Sequence, residues 1–492
     1  MAAVALTVLI AMAGGLLQAQ LAINRDVAFY MYIGSRMLGG HAPVFADIDH
    51  VLGGVLLSNI LLYLPPSAMV ATLDIPFEWP LRVYVLLLAT WSFRHVWRFC
   101  TRLESEHSRI WVLPPILAAM TLLFPVESFG QREHLFALLI LPYLLATILE
   151  TEGLETGRRP LAVGLGTLVA VVIKPHFVIL FLAVEAVRML RLRRWRALFD
   201  PVNLIVGAGH GAYYATVAAG FVRGGFDPDL VAWVLDLKRA YLNKSLADLL
   251  IRKYSLLWLP AIAAIIIGLR LARRRAGSMV WAMAFAGGLA AAIFQSLGVD
   301  YHWLIATVLA AMAIGWVVAI APHRGSRWIA IVSLAVFTVL AVLRSVTIFP
   351  LERATTSQVA TLARAILAAA PPSPTVLMIN GDYGPLYPVL GRSGFTSASS
   401  YHAYWFLDAM ASRPALHRDA RPEWIDGIKA TTARDIIERR PGLILIGLID
   451  RPQYDMVTRD ERVRAALADY HPAGNAVGYL LLRRKDHSSL PR

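Results

Sequence analysis

Residues 16–30 read Leu16-Leu17-Gln18-Ala19-Gln20-Leu21-Ala22-Ile23-Asn24-Arg25-Asp26-Val27-Ala28-Phe29-Tyr30. This stretch decides the kind of fold. It is the exit of an apolar run from Ala2 to Ala22. A run of about 20 apolar residues is long enough to cross a bilayer as a helix. The run has no basic leader and no small-residue cleavage site, so it reads as a retained first helix rather than a signal peptide. It ends on Arg25-Asp26, and charge at a membrane edge is costly enough to be kept mainly where it serves a use.

The rest of the chain agrees with that reading. Of its 492 residues 57% are hydrophobic and only 16% charged. A soluble domain carries about 25% charged residues, so the composition predicts a polytopic α-helical membrane protein. Cys100 is the single cysteine, which excludes an internal disulfide and a cysteine-based metal site. The formal charge of +14 invites a nucleic-acid reading. The basic residues instead cluster in short loops between apolar runs, as membrane topology requires, and no nucleic-acid partner is expected.

Eleven apolar runs are long enough to propose as spans: 2–22, 81–99, 110–126, 134–150, 161–175, 177–190, 202–221, 255–272, 279–297, 301–320 and 327–348. Alternating them places 16 Lys and Arg in 43 loop residues on one side (98–110, 151–160, 188–196, 270–275, 323–327) and nine in 100 on the other. The richer side is expected to be cytoplasmic. The N-terminus then lies in the cytoplasm of a bacterial inner membrane. The loops 23–80, 126–133 and 222–255 and the C-terminal part face outward. The apolar stretch 51–73 is broken by Pro65-Pro66 and reads as an interfacial or re-entrant segment of the first outer loop, tolerable at depth only if buried in protein or lining a cavity. The outer loop 222–255 interleaves basic and aromatic residues and reads as an interfacial helix with a basic face.

Beyond Pro350 the pattern changes. Ala360–Ala370 and Thr432–Arg440 read as helices; 375–380, 443–447 and 479–482 read as short strands. Alternation of that kind predicts a small extracytoplasmic α/β domain at 350–492, after a transmembrane domain at 1–349.

Several charged residues sit where the outer face should be. Asp26 is a candidate general base for an acceptor hydroxyl, because burial can bring a carboxylate's pKa toward working pH. Its bland alternative is a helix cap, a role that Asn24 could equally fill. Asp47 and Asp49 could join Asp26 on a divalent metal through oxygen ligands. They could also be loop residues bonding their own backbone, the reading favoured for Asp49. The sequence calls for no cofactor and leaves a divalent metal open. Glu127 to His134 is dense in ionisable groups. There Arg132 is a candidate phosphate clamp, with Glu133 and His134 to orient it or to meet a sugar hydroxyl. Lys174, in Ile173-Lys174-Pro175-His176 between two apolar runs, needs a counter-charge or a route to water. Tyr301 and His302 open the span 301–320 and are candidates to touch a leaving phosphate, or simply belong to an aromatic belt with Trp303.

The first loop carries Arg25-Asp26, then Tyr30 and Gly34, then Leu38-Gly39-Gly40-His41-Ala42-Pro43-Val44-Phe45 with Asp47 close behind. This order resembles the first outer loop of the GT-C class of integral membrane glycosyltransferases, which includes protein O-mannosyltransferases and lipid A aminoarabinose transferases. The Glu133 loop, Lys174-Pro175 and Tyr301-His302 follow in that class's order, over residues 1 to about 350. The resemblance implies a GT-C-like fold, a polyprenyl-phosphate-linked sugar as donor, and inverting transfer on the extracytoplasmic face. A glycan, lipid or protein would be the acceptor. Asp26 matches the catalytic aspartate, and Arg25, Tyr30 and Asp47 become substrate-binding candidates beside Arg132, Glu133, His134, Lys174, Tyr301 and His302. One departure stands out. Asp49-His50-Val51-Leu52-Gly53-Gly54 replaces the Lys-Pro-Pro element of some members, so a phosphate contact must come from elsewhere, with Lys174 and Arg132 the candidates. Two other classes compete: a transporter or flippase of a lipid-linked sugar, and a non-catalytic partner in polysaccharide assembly. Against the transporter, the charged groups gather on one face with no similarity between halves.

Overall fold

The computed structural model describes residues 2–40, 53–154, 161–223, 255–271, 276–295, 300–369, 373–380, 385–404, 422–448 and 455–485, apart from a few single positions. Asp47, Asp49 and most of the basic loop 222–255 lie outside the described residues. The chain divides into two compact units. One comprises Met1–Leu21, Leu81–Ala219 and Lys244–Glu352; the other comprises Ala22–Pro80, Gly220–Asn243 and Arg353–Arg492.

The first unit is a helical bundle. Among the described residues five helices are long and apolar enough to cross a membrane: Ala2–Ala19, Arg132–Thr151, Ala276–Phe294, Tyr301–Ile320 and Arg324–Ala368. Shorter apolar helices cover Arg109–Leu123, Leu161–Ile173 and Trp258–Arg270. The expected count of eleven spans is therefore not established, although the expected runs are largely helical. Trp79–Leu103 is one continuous helix, but its arginines keep it out of the apolar set. Leu304–Ile320 carries no charge and every residue in it is buried, the mark of a helix surrounded by protein on all sides. It packs on Ala276–Phe294, where Trp316 Nε1 donates to Ser278 Oγ at 3.1 Å. The helix Ala2–Ala19 is the opposite case, with Leu6, Leu9, Met12 and Leu16 exposed, as for a helix facing lipid.

The second unit joins the first loop to the C-terminal α/β part. Its five-stranded sheet runs β2-β1-β3-β5-β4, with β1 Thr375–Ile379, β2 Thr396–Ser397, β3 Leu443–Gly447, β4 Tyr470–Ala476 and β5 Tyr479–Arg484. β1, β2 and β3 are parallel, and β5 and β4 close the sheet as an antiparallel hairpin. β1 and β3 are almost wholly buried, as apolar parallel strands must be.

One expectation is corrected and another is met. Residues 327–348 and 360–370 are not separate helices: Arg324–Ala368 is a single helix of 45 residues with Pro350 inside it. The proline removes one backbone hydrogen bond, which the long apolar helix on either side can absorb. The stretch 51–73 does split as expected. Gly53–Leu62 and Leu64–Thr72 are two short helices, because Pro65-Pro66 suits a first helical turn and not an interior.

Candidate functional site

The first unit gathers buried polar side chains at the ends of four apolar segments. Pro175 creates the key position. A residue before proline is pushed out of the helical region, and Lys174 is extended at φ −143°, ψ 134° directly after the helix Leu161–Ile173. The short 3-10 turn Pro175–Phe177 then restarts the chain toward the next helix. Opposite lies the start of Arg132–Thr151, reached through a turn in which Gly130 has φ +75° and a Cβ would strike Leu81. Gly130 N–H donates to His134 Nδ1 at 3.0 Å, which fixes that ring against the helix start. Glu133 falls in the first helical turn, where the helix dipole favours a carboxylate.

These elements bring charge together. Lys174 Nζ bonds Glu133 Oε1 as an ion pair and donates to Gln295 Oε1 at 2.5 Å. His302 Nε2 stands 4.0 Å from the same Glu133 oxygen. The ammonium also lies 5.7 Å from the Tyr301 ring centroid and 5.8 Å from that of Phe177, within cation–π range. Arg132, Glu133, His134, Lys174, Gln295 and His302 are all buried.

The cluster is not saturated. Glu133 Oε2 and His302 Nδ1 are buried with no hydrogen-bond partner among the described residues. A buried polar atom without a partner costs about 1–3 kcal/mol, so the cluster holds hydrogen-bonding capacity that its own side chains leave unused.

Sequence reasoning missed Gln295, whose only signal is a lone amide at the end of the apolar run 279–297. It also missed a second buried cluster at the far end of the helix Arg132–Thr151. Arg188 bonds Glu150 through Nε at 2.7 Å and Nη2 at 2.8 Å, Glu185 and the Ala197 carbonyl at 3.1 Å each, and Asp200 at 3.3 Å. Glu185 also accepts hydrogen bonds from the Tyr143 hydroxyl at 2.6 Å and from Asn203 Nδ2 at 2.7 Å. Arg188, counted from sequence as the first cation of a basic loop, lies within the helix Val178–Leu192 and is buried.

In the second unit, Asp26 stands in the first turn of the helix Arg25–Leu38. The capping role goes to Asn24, whose side chain accepts from Asp26 N–H at 2.9 Å. Asp26 is nevertheless buried, whereas Arg25 before it is exposed. Tyr30 stacks on Tyr63 with centroids 5.7 Å apart and receives a hydrogen bond from Asn59 at 3.3 Å. Gly34 lets the helix lie directly on Ser67, since a Cβ there would come within 2.5 Å of the Ser67 hydroxyl. The Ser397 N–H donates to the Tyr32 hydroxyl at 2.7 Å. Burial pushes the Tyr32 phenol above its ordinary pKa, with that hydrogen bond and Arg36 opposing. Tyr387 meets Phe29 and Tyr32 at 4.8 and 5.5 Å. The aspartate is thus held on a helix fixed by aromatic packing to the C-terminal part.

Among the described residues no group of three or more His, Cys, Asp or Glu is arranged to hold a metal ion. No protein-family model matches the chain, and no curated protein matches it by sequence. Among solved structures it is similar to the crystal structure of ArnT from Cupriavidus metallidurans bound to undecaprenyl phosphate, with 13% identity and a TM-score of 0.54 over 99% of each chain. The chain therefore has an ArnT-like fold, the GT-C type of membrane fold that its first-loop motif resembles.

Proposed function

We propose that this protein is a membrane glycosyltransferase that moves a sugar from a polyprenyl-phosphate donor to a glycan, lipid or protein acceptor on the extracytoplasmic face of a bacterial inner membrane. The observation that carries the reading is the unsaturated Lys174–Glu133–Gln295–His302 cluster among apolar helix ends. A lipid-linked phosphate is a polar group that reaches such a place on an apolar tail. The likeness to a structure that holds undecaprenyl phosphate adds support.

In this reading Lys174 and Arg132 hold the donor phosphate. Fixed cations facing a leaving phosphate stabilise the charge that develops as the anomeric bond breaks. Glu133 is the resident counter-ion of Lys174 until the phosphate arrives, and His302, with Tyr301 beside it, meets the phosphate oxygens. His134 holds the helix start that presents Arg132 and Glu133. Asp26, which matches the catalytic aspartate of the GT-C class in its motif, takes the proton of the acceptor hydroxyl, and inverting transfer through an oxocarbenium-like centre is what that resemblance implies. Arg25, Tyr30 and Asp47 are substrate-binding candidates from the first loop.

The test is turnover by Asp26→Asn in membranes supplied with polyprenyl-phosphate sugar. Loss of a general base lowers the rate by about 10²–10⁴-fold, with expression and thermal stability kept. Wild-type turnover in that variant would refute the assignment of the base. Mass spectrometry of lipid-linked sugars accumulating in a deletion strain would identify the sugar.

A further inference from the structure

We propose that the chain carries a second lipid site, for an anionic glycerophospholipid, at the C-terminal end of the helix Trp79–Leu103. Arg94, Arg98 and Arg102 recur every four residues, so they form one stripe along this helix. All three are exposed. Like charges at that spacing repel one another, and an anion lying over the stripe relieves that repulsion.

Beside the stripe runs an apolar slot. It is lined by Phe93 and Trp97, each one residue before an arginine, by Val4 and Val8 of the helix Ala2–Ala19, and by Trp111. The Trp97 and Trp111 rings meet edge to face with centroids 4.6 Å apart. Thr7 brings the only hydroxyl to the lining, and that hydroxyl already donates to the Ala3 carbonyl at 2.7 Å. The slot therefore asks for no polar atom. Its volume, about 190 Å³, falls below the range of about 300–1,000 Å³ usual for small-molecule pockets. It suits a length of acyl chain.

The juxtaposition selects the occupant. Arginines beside a span extend toward the headgroup layer and attract anionic lipid there. The acidic neighbour Glu104 is also exposed but lies outside the four-residue stripe. A lipid with a negative headgroup and an acyl chain satisfies stripe and slot together. A zwitterionic lipid satisfies only the slot.

The full chain in nanodiscs tests this, with tryptophan quenching by brominated-acyl phosphatidylglycerol compared with brominated phosphatidylcholine. The expected result is stronger quenching by phosphatidylglycerol. The preference should fall about tenfold in Arg94→Gln/Arg98→Gln/Arg102→Gln, whose exposed substitutions leave the fold intact. It should also shrink in Trp97→Phe, which removes the reporting ring. Equal quenching by the two lipids, a preference that survives the triple substitution, or one untouched by Trp97→Phe would each overturn the proposal. Displacement by undecaprenyl phosphate at equal concentration would assign the site to the donor instead and overturn the occupant named here.

Discussion

The two ends of the helix Arg132–Thr151 hold buried charge in opposite ways. At its C-terminal end Arg188 meets Glu150, Glu185, Asp200 and a carbonyl, and the carboxylates are further held by Tyr143 and Asn203. At its N-terminal end Lys174 meets Glu133 and Gln295, and Glu133 Oε2 and His302 Nδ1 are left without partners among the described residues. A closed network pins three helical segments together. An open one keeps hydrogen-bonding capacity in reserve. The contrast separates a structural ion cluster from a candidate ligand site, although both are buried salt bridges on one helix.

Arg188→Ala should have the largest effect on stability. Removing one partner of a buried ion network leaves the others uncompensated and costs about 3–5 kcal/mol. Thermal or denaturant unfolding in detergent reads that loss. A cost near zero would mean the cluster is not closed, and the comparison would break. Tyr143→Phe should come next. It deletes one hydrogen bond to a buried carboxylate, worth about 1.5–3 kcal/mol, and should leave turnover by the folded protein unchanged.

The sequence makes Lys174 legible for two reasons: an ammonium between apolar runs demands a partner, and the following proline breaks the helix at it. Glu133 and His302 stand out in the sequence because they are ionisable groups at the mouths of apolar runs. Gln295 was not, since one uncharged amide at the end of Ala276–Phe294 barely alters the hydropathy pattern. Arg188 was misjudged for a different reason. In sequence it heads a run of arginines, and only packing shows that it turns inward while Arg191 stays exposed. The α/β part shows the same limit. β1, β3 and β5 announce themselves as apolar runs. β4, with the sequence Tyr470-His471-Pro472-Ala473-Gly474-Asn475-Ala476, is an exposed edge strand with an irregular register between Pro472 and Gly474. It pairs through backbone alone, with residues that disfavour strands elsewhere.

A third set of charges calibrates the other two in water. Arg462 binds Asp426 at 2.6 Å and Asp460 at 3.0 Å on the surface, and Asp460 caps the helix Glu461–Leu467. The Arg462 guanidinium holds the Asp460 carboxyl below its usual range. Its stabilising contribution is therefore complete above about pH 4, the ordinary carboxylate value, and is lost as pH falls through the lower folded value. Asp460→Ala should cost only about 1 kcal/mol, read as faster hydrogen exchange in residues 461–467. Asp460→Asn should keep the cap while removing the pH dependence. A larger loss than in Tyr143→Phe would invert the ranking.

The most direct measurement is binding of undecaprenyl phosphate to the charge-balanced variant Lys174→Gln/Glu133→Gln, compared with wild type in nanodiscs. Removing both charges avoids a lone buried ion, so the fold should hold and the unfolding temperature should stay close to that of wild type. The account predicts binding to wild type and a loss of affinity of at least about tenfold in the variant, equivalent to about 1.4 kcal/mol. Equal affinity in the two proteins would contradict the assignment of the open cluster as the phosphate seat.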